Sequence, residues 1–477
     1  MNFKKSIPWL FSIPMILCTI LTSCKNDPEG PNLFSGKIVN PHVDYVVLSD
    51  FKELQDTVDL NDDGSFKVSY DRLEEGLYTL IHPDEYQSIY IAPSDELTLR
   101  LNTRAFDESL AFSGTHAHEN QYLIDLFINL EKKSQLKWSS YKLGPEAFFK
   151  QIKKRNIKLL NKLNEAKEKH DFPEEFVKHA EQAIQLTGWA QLERYAYAHY
   201  GKNDFLNFKE VPAYFYSHRS QLDLDDVSLM NNYAFRPFLK AMISHLSFEK
   251  EAKKQGSGKD VHKDALSYYQ QNLKVIDSII TSQELKDLIA TYTTEEFIFI
   301  NKNAREIKTL MMDYEQMVAS ADLKENTLAL AAVFMNMEPG KQMHEIQLMN
   351  TQQKMVQLSD QVERMSVLFF WSVTESEFAV AIHDRVRELR IKYPEIQFVG
   401  INMDNPQDYS WQNANSKYRF DTNNEFQIMN TSIVKQRLGL SNRNRVMIVD
   451  KDLHIVDPNI NLFKYDIETT LLGYLNP

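Results

Sequence analysis

The residues best placed to do chemistry flank one expected turn. Val367-Leu368-Phe369-Phe370-Trp371-Ser372-Val373 is an apolar run broken only by Ser372, and it reads as a buried strand. Thr374-Glu375-Ser376-Glu377 follows with the spacing of a helix capping box, in which a hydroxyl and a carboxylate satisfy free backbone N–H groups. A strand that turns into a helix start presents unpaired N–H groups and the positive end of the helix dipole. Glu375 at that place is held ionised and is a weak general acid. His383 lies further along the same helix, more than two turns away. His116-Ala117-His118 has the look of a two-histidine metal pair, but no third ligand stands nearby and metal sites need three or four. Asp62-Asp63-Gly64 lacks the spaced acids and closing Glu of an EF-hand and reads as a tight turn. The chain has no Gly-x-Ser-x-Gly elbow, His-Glu-x-x-His helix or phosphate-binding Walker loop. No catalytic residue, cofactor or metal is expected.

The first residues form a targeting segment. Lys4 and Lys5 precede an apolar stretch from Ile7 to Leu21 that contains Pro8 and Pro14, a poor spanning helix. It ends in Leu21-Thr22-Ser23-Cys24, which resembles the lipobox of bacterial lipoproteins; the resemblance implies cleavage before Cys24 and lipidation of its thiol. Lys25 rather than Asp follows, which implies the outer membrane, on its periplasmic face or at the cell surface. The chain has two cysteines. Cys18 would leave with the segment and Cys24 would be acylated, so no thiol and no disulfide would remain.

The chain of 477 residues exceeds one compact domain. Its 43% apolar and 25% charged residues suit a folded soluble protein, and 14 glycines favour helix-rich structure. A net charge of −12 argues against nucleic acid, whose phosphates need clustered Lys and Arg. The expected organisation is multidomain α+β. Residues 1–23 are the signal peptide and 24–32 a Pro/Gly-rich tether. A small antiparallel β-sandwich-like domain follows over 33–115, its short apolar runs separated by turn residues. Residues 116–322 are helical, with amphipathic helices over 147–169, 174–201, 229–248, 265–281 and 283–312. The aromatic stretch Thr187–Tyr200 is expected to pack between helices. Residues 323–477 form an α/β domain of order β-α-β-α-β-β-α, opened by the 346–349 and 355–358 hairpin.

That last region resembles the thioredoxin-like fold of TlpA and ResA. The matches are Leu368-Phe369-Phe370-Trp371, Val399-Gly400-Ile401-Asn402-Met403-Asp404, Trp411, and Val446-Met447-Ile448-Val449-Asp450, within about the last third of the chain. The family's redox site is a Cys-x-x-Cys pair at the helix start, facing a cis-proline. Here the two thiol positions fall on Glu375 and Phe378, and the proline position falls on Asn444, where a cis bond would cost about 3 kcal/mol. The resemblance therefore implies a degenerate, cysteine-free redox site. The former substrate groove, with Trp371, Ser376, Arg443 and Arg445, is the candidate surface for an envelope protein or peptide. The membrane, reached through Cys24, is the other expected partner. A retained but undetected activity, or nutrient or glycan binding by the helical middle, are the alternatives.

Overall fold

The computed structural model describes residues 30–41, 43–52, 54–82, 85–133, 138–200, 205–206, 211–255, 261–262, 264–373, 376–404, 406, 410–440 and 445–476. The leader, Cys24, Thr374, Glu375, Arg443 and Asn444 lie outside these residues.

Eight strands open the described chain: β1 (Asn32–Val39), β2 (Tyr45–Ser49), β3 (Gln55–Asp59), β4 (Ser65–Tyr70), β5 (Gly76–His82), β6 (Glu85–Ile91), β7 (Glu96–Asn102) and β8 (Ala111–Gly114), with the short α1 (Phe106–Ser109) between the last two. They pair as two four-stranded sheets, β4-β1-β7-β8 and β3-β2-β5-β6. Alternating residues meet between the sheets: Phe34, Ile38, Leu97, Leu99 and Leu101 from one, Val46, Leu48, Leu80 and Ile89 from the other. The domain is not wholly antiparallel as expected. β1 and β7 run parallel, with Phe34 opposite Leu97, because the chain crosses through the second sheet before returning beside β1 in the same direction. Asp62-Asp63-Gly64 is a tight turn. Gly64 has φ +77° and bonds back to the Asn61 carbonyl, while Asp63 accepts from the Ser65 N–H.

The helical region comprises α2 (Ala117–Ile128), α3 (Pro145–His170), α4 (Glu174–Tyr200), α5 (Phe235–Gln255), α6 (Leu266–Ile279), α7 (Gln283–Ile300), α8 (Ala304–Met317) and α9 (Ala321–Met335). A two-residue ladder joins β9 (Phe205–Leu206) to β10 (Val261–His262). The single helix expected over 283–312 is two. Asn303 stops it by taking the Arg305 and Glu306 N–H groups on its side-chain oxygen, which starts α8 afresh. The α5 helix begins at Phe235 rather than Leu229; a 3-10 turn over Val227–Asn231 precedes it. The aromatic stretch packs between helices over Thr187–Ala198, with Tyr195 fully buried beside Phe148 and Phe215.

The C-terminal region is a thioredoxin-like α/β domain. Its elements are β11 (Gln347–Asn350), β12 (Met355–Gln357), β13 (Ser366–Trp371), α10 (Ser376–Lys392), β14 (Gln397–Asn402), α11 (Ser410–Tyr418), β15 (Glu425–Ile428), α12 (Thr431–Leu438), β16 (Val446–Val449), β17 (Ile455–Asp457) and α13 (Ile467–Leu475). The sheet order is β12-β11-β15-β14-β13-β16-β17, with β13, β14 and β15 parallel and the β16–β17 hairpin antiparallel beside β13. The expected order lacked β15, which adds a third parallel strand. Both faces of the sheet are covered. Val367, Phe369, Trp371, Val446 and Ile448 pack under α10 and α13. Leu368, Phe370, Val399, Ile401, Met447 and Val449 join one continuous core with Leu310 on α8, Phe334 on α9 and Leu438 on α12. Parallel strands buried on both faces explain the unbroken apolar run that marked β13 in the sequence.

Phe334 is central to this junction. Arg445 lies 4.5 Å over its ring, Phe299 meets it edge-on at 5.1 Å, and a side chain at Gly439 would overlap it. Lys302 reaches Asp457 at 2.7 Å, and Asn459 donates to the Phe299 carbonyl at 2.7 Å, across the same boundary. Phe334→Ala is expected to lower unfolding free energy by about 3–5 kcal/mol, read from urea titration, through the lost burial and the cavity it leaves.

Candidate functional site

The carboxyl ends of β13, β14 and β15 are where a thioredoxin-like sheet presents its chemistry. Ser372 and the Val373 N–H emerge there from β13, and both donate to Asp404, which follows β14; the Val373 bond is 2.8 Å. Asn402 donates to the same carboxylate at 2.7 Å, and its own side-chain oxygen accepts from the Asp404 N–H. Gln427 of β15 reaches the Asn402 oxygen at 3.4 Å. Asp404 thus accepts from three donors and ties the strand ends together. A carboxylate so occupied holds the backbone and is poorly placed to move a proton.

The sequence-predicted positions divide. Glu375, Arg443 and Asn444 lie outside the described residues, and Ser376 begins α10. Phe378, at the second thiol position, is half-buried, with its ring 6.0 Å from Phe463. Trp371 and Arg445 are not surface residues, which corrects their place in a groove. Trp371 is fully buried on the α10 side of the sheet, since strand alternation points its indole inward. Arg445 is buried as well. It donates from Nε to the Pro458 carbonyl at 3.0 Å and from Nη1 to the Leu438 carbonyl. Burial depresses its pKa to about 10.

Beneath this edge lies a cluster that sequence reasoning missed. Glu425, the first residue of β15, is buried and accepts from the Trp371 indole N–H at 3.0 Å. Its other oxygen faces His383 Nε2 at 3.1 Å. His383 Nδ1 lies 2.5 Å from the Ala379 carbonyl, one turn back on α10. The Phe420 ring stacks flat on the imidazole with centroids 3.5 Å apart, and Trp371 meets it edge-on. Gly400 stands opposite Glu425 in the β14 ladder; a side chain there would land on the Glu425 carboxylate and push it off Trp371 and His383. Burial raises the Glu425 pKa, and the hydrogen bonds from His383 and Trp371 offset part of that rise. Both Glu425 oxygens have a partner, Trp371 on one and His383 on the other, and the second His383 nitrogen faces the Ala379 carbonyl, so each of these buried polar atoms is paired. The missed signal is the alternation Glu425-Phe426-Gln427-Ile428, in which all four residues turn out to be buried.

A second buried carboxylate lies in the helical region. Glu193 on α4 takes Arg219 Nη2 at 2.6 Å, Arg219 Nε at 2.9 Å, His218 Nε2 at 2.8 Å and His245 Nδ1 at 3.0 Å. Burial alone would raise its pKa, but the bonds from Arg219, His218 and His245 hold it well below the usual range. Trp189 stacks on His218, so the aromatic middle forms a closed packing unit. At the opposite end of the C-terminal sheet is an open polar cleft of about 400 Å³, lined by Asp360, Arg364, Arg390, Gln397 and Asn424 among others.

No protein-family model and no curated protein matches the chain. Solved structures do match. The thioredoxin domain of a thiol-disulfide oxidoreductase from Bacteroides vulgatus is 16% identical, covering 29% of this chain and 98% of that one, with a TM-score of 0.24. A thiol:disulfide interchange protein from Bacteroides sp. is 17% identical over 30% of this chain and 93% of its own, TM-score 0.25. A thioredoxin-like protein from Bacteroides caccae is 12% identical over 56% of this chain and 97% of its own, TM-score 0.33. Scores this low carry no functional argument. The thioredoxin-like assignment rests on the strand order and parallel crossovers above, and that domain contains no cysteine.

The raised Glu425 pKa has a consequence for stability. The folded chain holds the proton more tightly than the unfolded chain, whose carboxyl keeps its ordinary value of 4.5. The associated stability is full below that pH and is lost as the pH rises through the raised folded value. Glu425→Gln keeps an acceptor for Trp371 and a donor for His383 but cannot ionise. Urea midpoints measured between about pH 5 and pH 9 should therefore fall less steeply in the variant than in the wild type.

Proposed function

We propose that this chain is a redox-inactive, TlpA-like lipoprotein of the bacterial cell envelope, whose thioredoxin-like domain serves as a binding or assembly module. One observation carries the reading: a thioredoxin-like sheet with its strand order and parallel β13–β14 pairing, in a domain without a thiol, where a phenyl ring packed on Phe463 stands at a thiol position. Dithiol exchange proceeds by thiolate attack on a disulfide, so this domain cannot perform it. Two of the described carboxylates at that end of the sheet are committed to structure, Asp404 by three donors and Glu425 by burial.

The domain is also not a detachable reductant. Its second sheet face is continuous with the helical core, which suits a module that holds a partner in a fixed orientation. With Trp371 and Arg445 buried, Phe463, 49% exposed and packed on Phe378 near the helix start, and Tyr465 two residues on, 73% exposed, are the proposed contact for an envelope protein or peptide. Membrane attachment through Cys24 is supported by the Leu21-Thr22-Ser23-Cys24 sequence. Asn32 is anchored at the start of β1 by bonds to Ala92 and Leu73. The tether between Cys24 and Asn32 spans at most about 29 Å, which would keep the β domain close to the bilayer.

Two measurements test this. Insulin reduction by dithiothreitol should run at the same rate with and without the purified protein; turnover above the reductant alone overturns the redox-inactive reading. Cys24→Ser should abolish metabolic labelling with palmitate and release the protein from the membrane fraction; continued labelling would overturn the lipoprotein reading.

A further inference from the structure

Arg236, in the first turn of α5, is surrounded by aromatic rings from three other parts of the fold. Its guanidinium carbon lies 4.9 Å from the ring centre of Tyr86 on β6, 5.0 Å from that of Tyr292 on α7, and 5.2 Å from that of Phe51, which follows β2. A ring face at such distances attracts a cation. Phe51 is set there by an unusual backbone. Its φ of +55° lies in the left-handed region that a bulky side chain rarely enters. The turn is fixed all the same. The Lys52 and Leu54 N–H groups donate to the Asp50 carboxylate at 2.8 and 2.9 Å, and Asn231 Nδ2 donates to the Asp50 carbonyl at 2.7 Å.

The cage leaves the charge without a counter-ion. Arg219, Arg385, Arg387 and Arg390 each hold a carboxylate. Arg236 makes no ion pair or hydrogen bond with any described residue. Its Nε is sealed from solvent without a partner, while its two Nη groups are not sealed. Ring faces attract the charge but give the N–H donors no strong acceptor. Tyr86 and Tyr292 are 40% and 39% exposed, and neither hydroxyl has a partner among the described residues. Glu295, whose charge acts on the Tyr292 phenol, makes no ion pair with Arg236. One turn further along the two helices, Lys240 and Glu296 neutralise each other at 2.8 Å. One free positive charge with Glu295 close by suits an anion of single charge better than a phosphate dianion. A carboxylate matches the paired N–H groups of a guanidinium, and the rings offer apolar surface beside it.

We infer that Arg236, Tyr86, Tyr292 and Phe51 form a binding site for an organic monocarboxylate whose carbon body is apolar or aromatic. The carboxylate accepts from the Nη groups of Arg236 and from the tyrosine hydroxyls, and the body lies against the exposed rings. The site spans the seam between the β domain and the helical region, so its occupant joins the turn after β2 to α5 and α7. It is independent of the thioredoxin-like domain and its partner.

The test is calorimetric titration of the whole chain with benzoate, acetate and inorganic phosphate at neutral pH and constant ionic strength. The wild type should bind one benzoate, acetate more weakly, and phosphate more weakly still. Arg236→Lys keeps the charge but loses the planar fork, and should weaken benzoate binding by about tenfold or more. Tyr86→Ala should weaken benzoate while leaving acetate nearly unchanged. Glu295→Gln removes a nearby negative charge and should strengthen benzoate binding. Arg364→Ala, in the cleft of the C-terminal sheet, should match the wild type. The proposal is overturned if the wild type binds no benzoate, if phosphate binds as tightly as benzoate, if Arg236→Lys binds as the wild type does, or if only Arg364→Ala loses the ligand. Should Arg236→Lys fail to fold, Tyr86→Ala and Glu295→Gln decide, and benzoate affinity unchanged in both overturns it.

Discussion

The double burial of the C-terminal sheet is the constraint on which the rest of the molecule depends. Strands β13 and β14 turn one set of side chains toward α10 and α13 and the other toward α9 and the helical region. Leu368, Phe370, Val399 and Ile401 leave water by sharing a core with α8, α9 and α12. Phe334 concentrates that dependence, since Arg445, Phe299 and the bare backbone at Gly439 all converge on its ring. Arg445 can be buried there because its guanidinium donates to two backbone carbonyls.

The same burial changes what the former redox end can do. Asp404 gathers the ends of β13 and β14, while Glu425, His383 and Trp371 form a dry, closed cluster under the edge. Such a cluster is costly to bury, and full pairing of its atoms is what makes it tolerable. The carboxylate occupies the space that the bare Gly400 leaves opposite it in the β14–β15 ladder. Its chemistry is therefore spent on positioning, and interaction with a partner falls to exposed side chains outside it.

Much of the architecture was legible in the sequence. The apolar run of β13, the stripe on α10 and the Asp450 hairpin each carry a local period or turn signal strong enough to survive packing. Other features were not. The break at Asn301–Asn303 turned on a capping bond, and β15 is only four residues long with a charge at its start. Trp371 and Arg445 read as groove residues because the thioredoxin-like resemblance sets them around the former substrate groove, yet their neighbours place them inside.

The sequence by itself determined that the last domain holds no thiol and that its strands must be buried, because residue identity sets both reactivity and periodicity. Only the tertiary structure decided which charges are spent on structure and which face solvent. Glu425 meets His383, and Arg236 meets Phe51 and Tyr292, through sheet register and helix packing. Those contacts join residues far apart in the chain, and no local spacing records them.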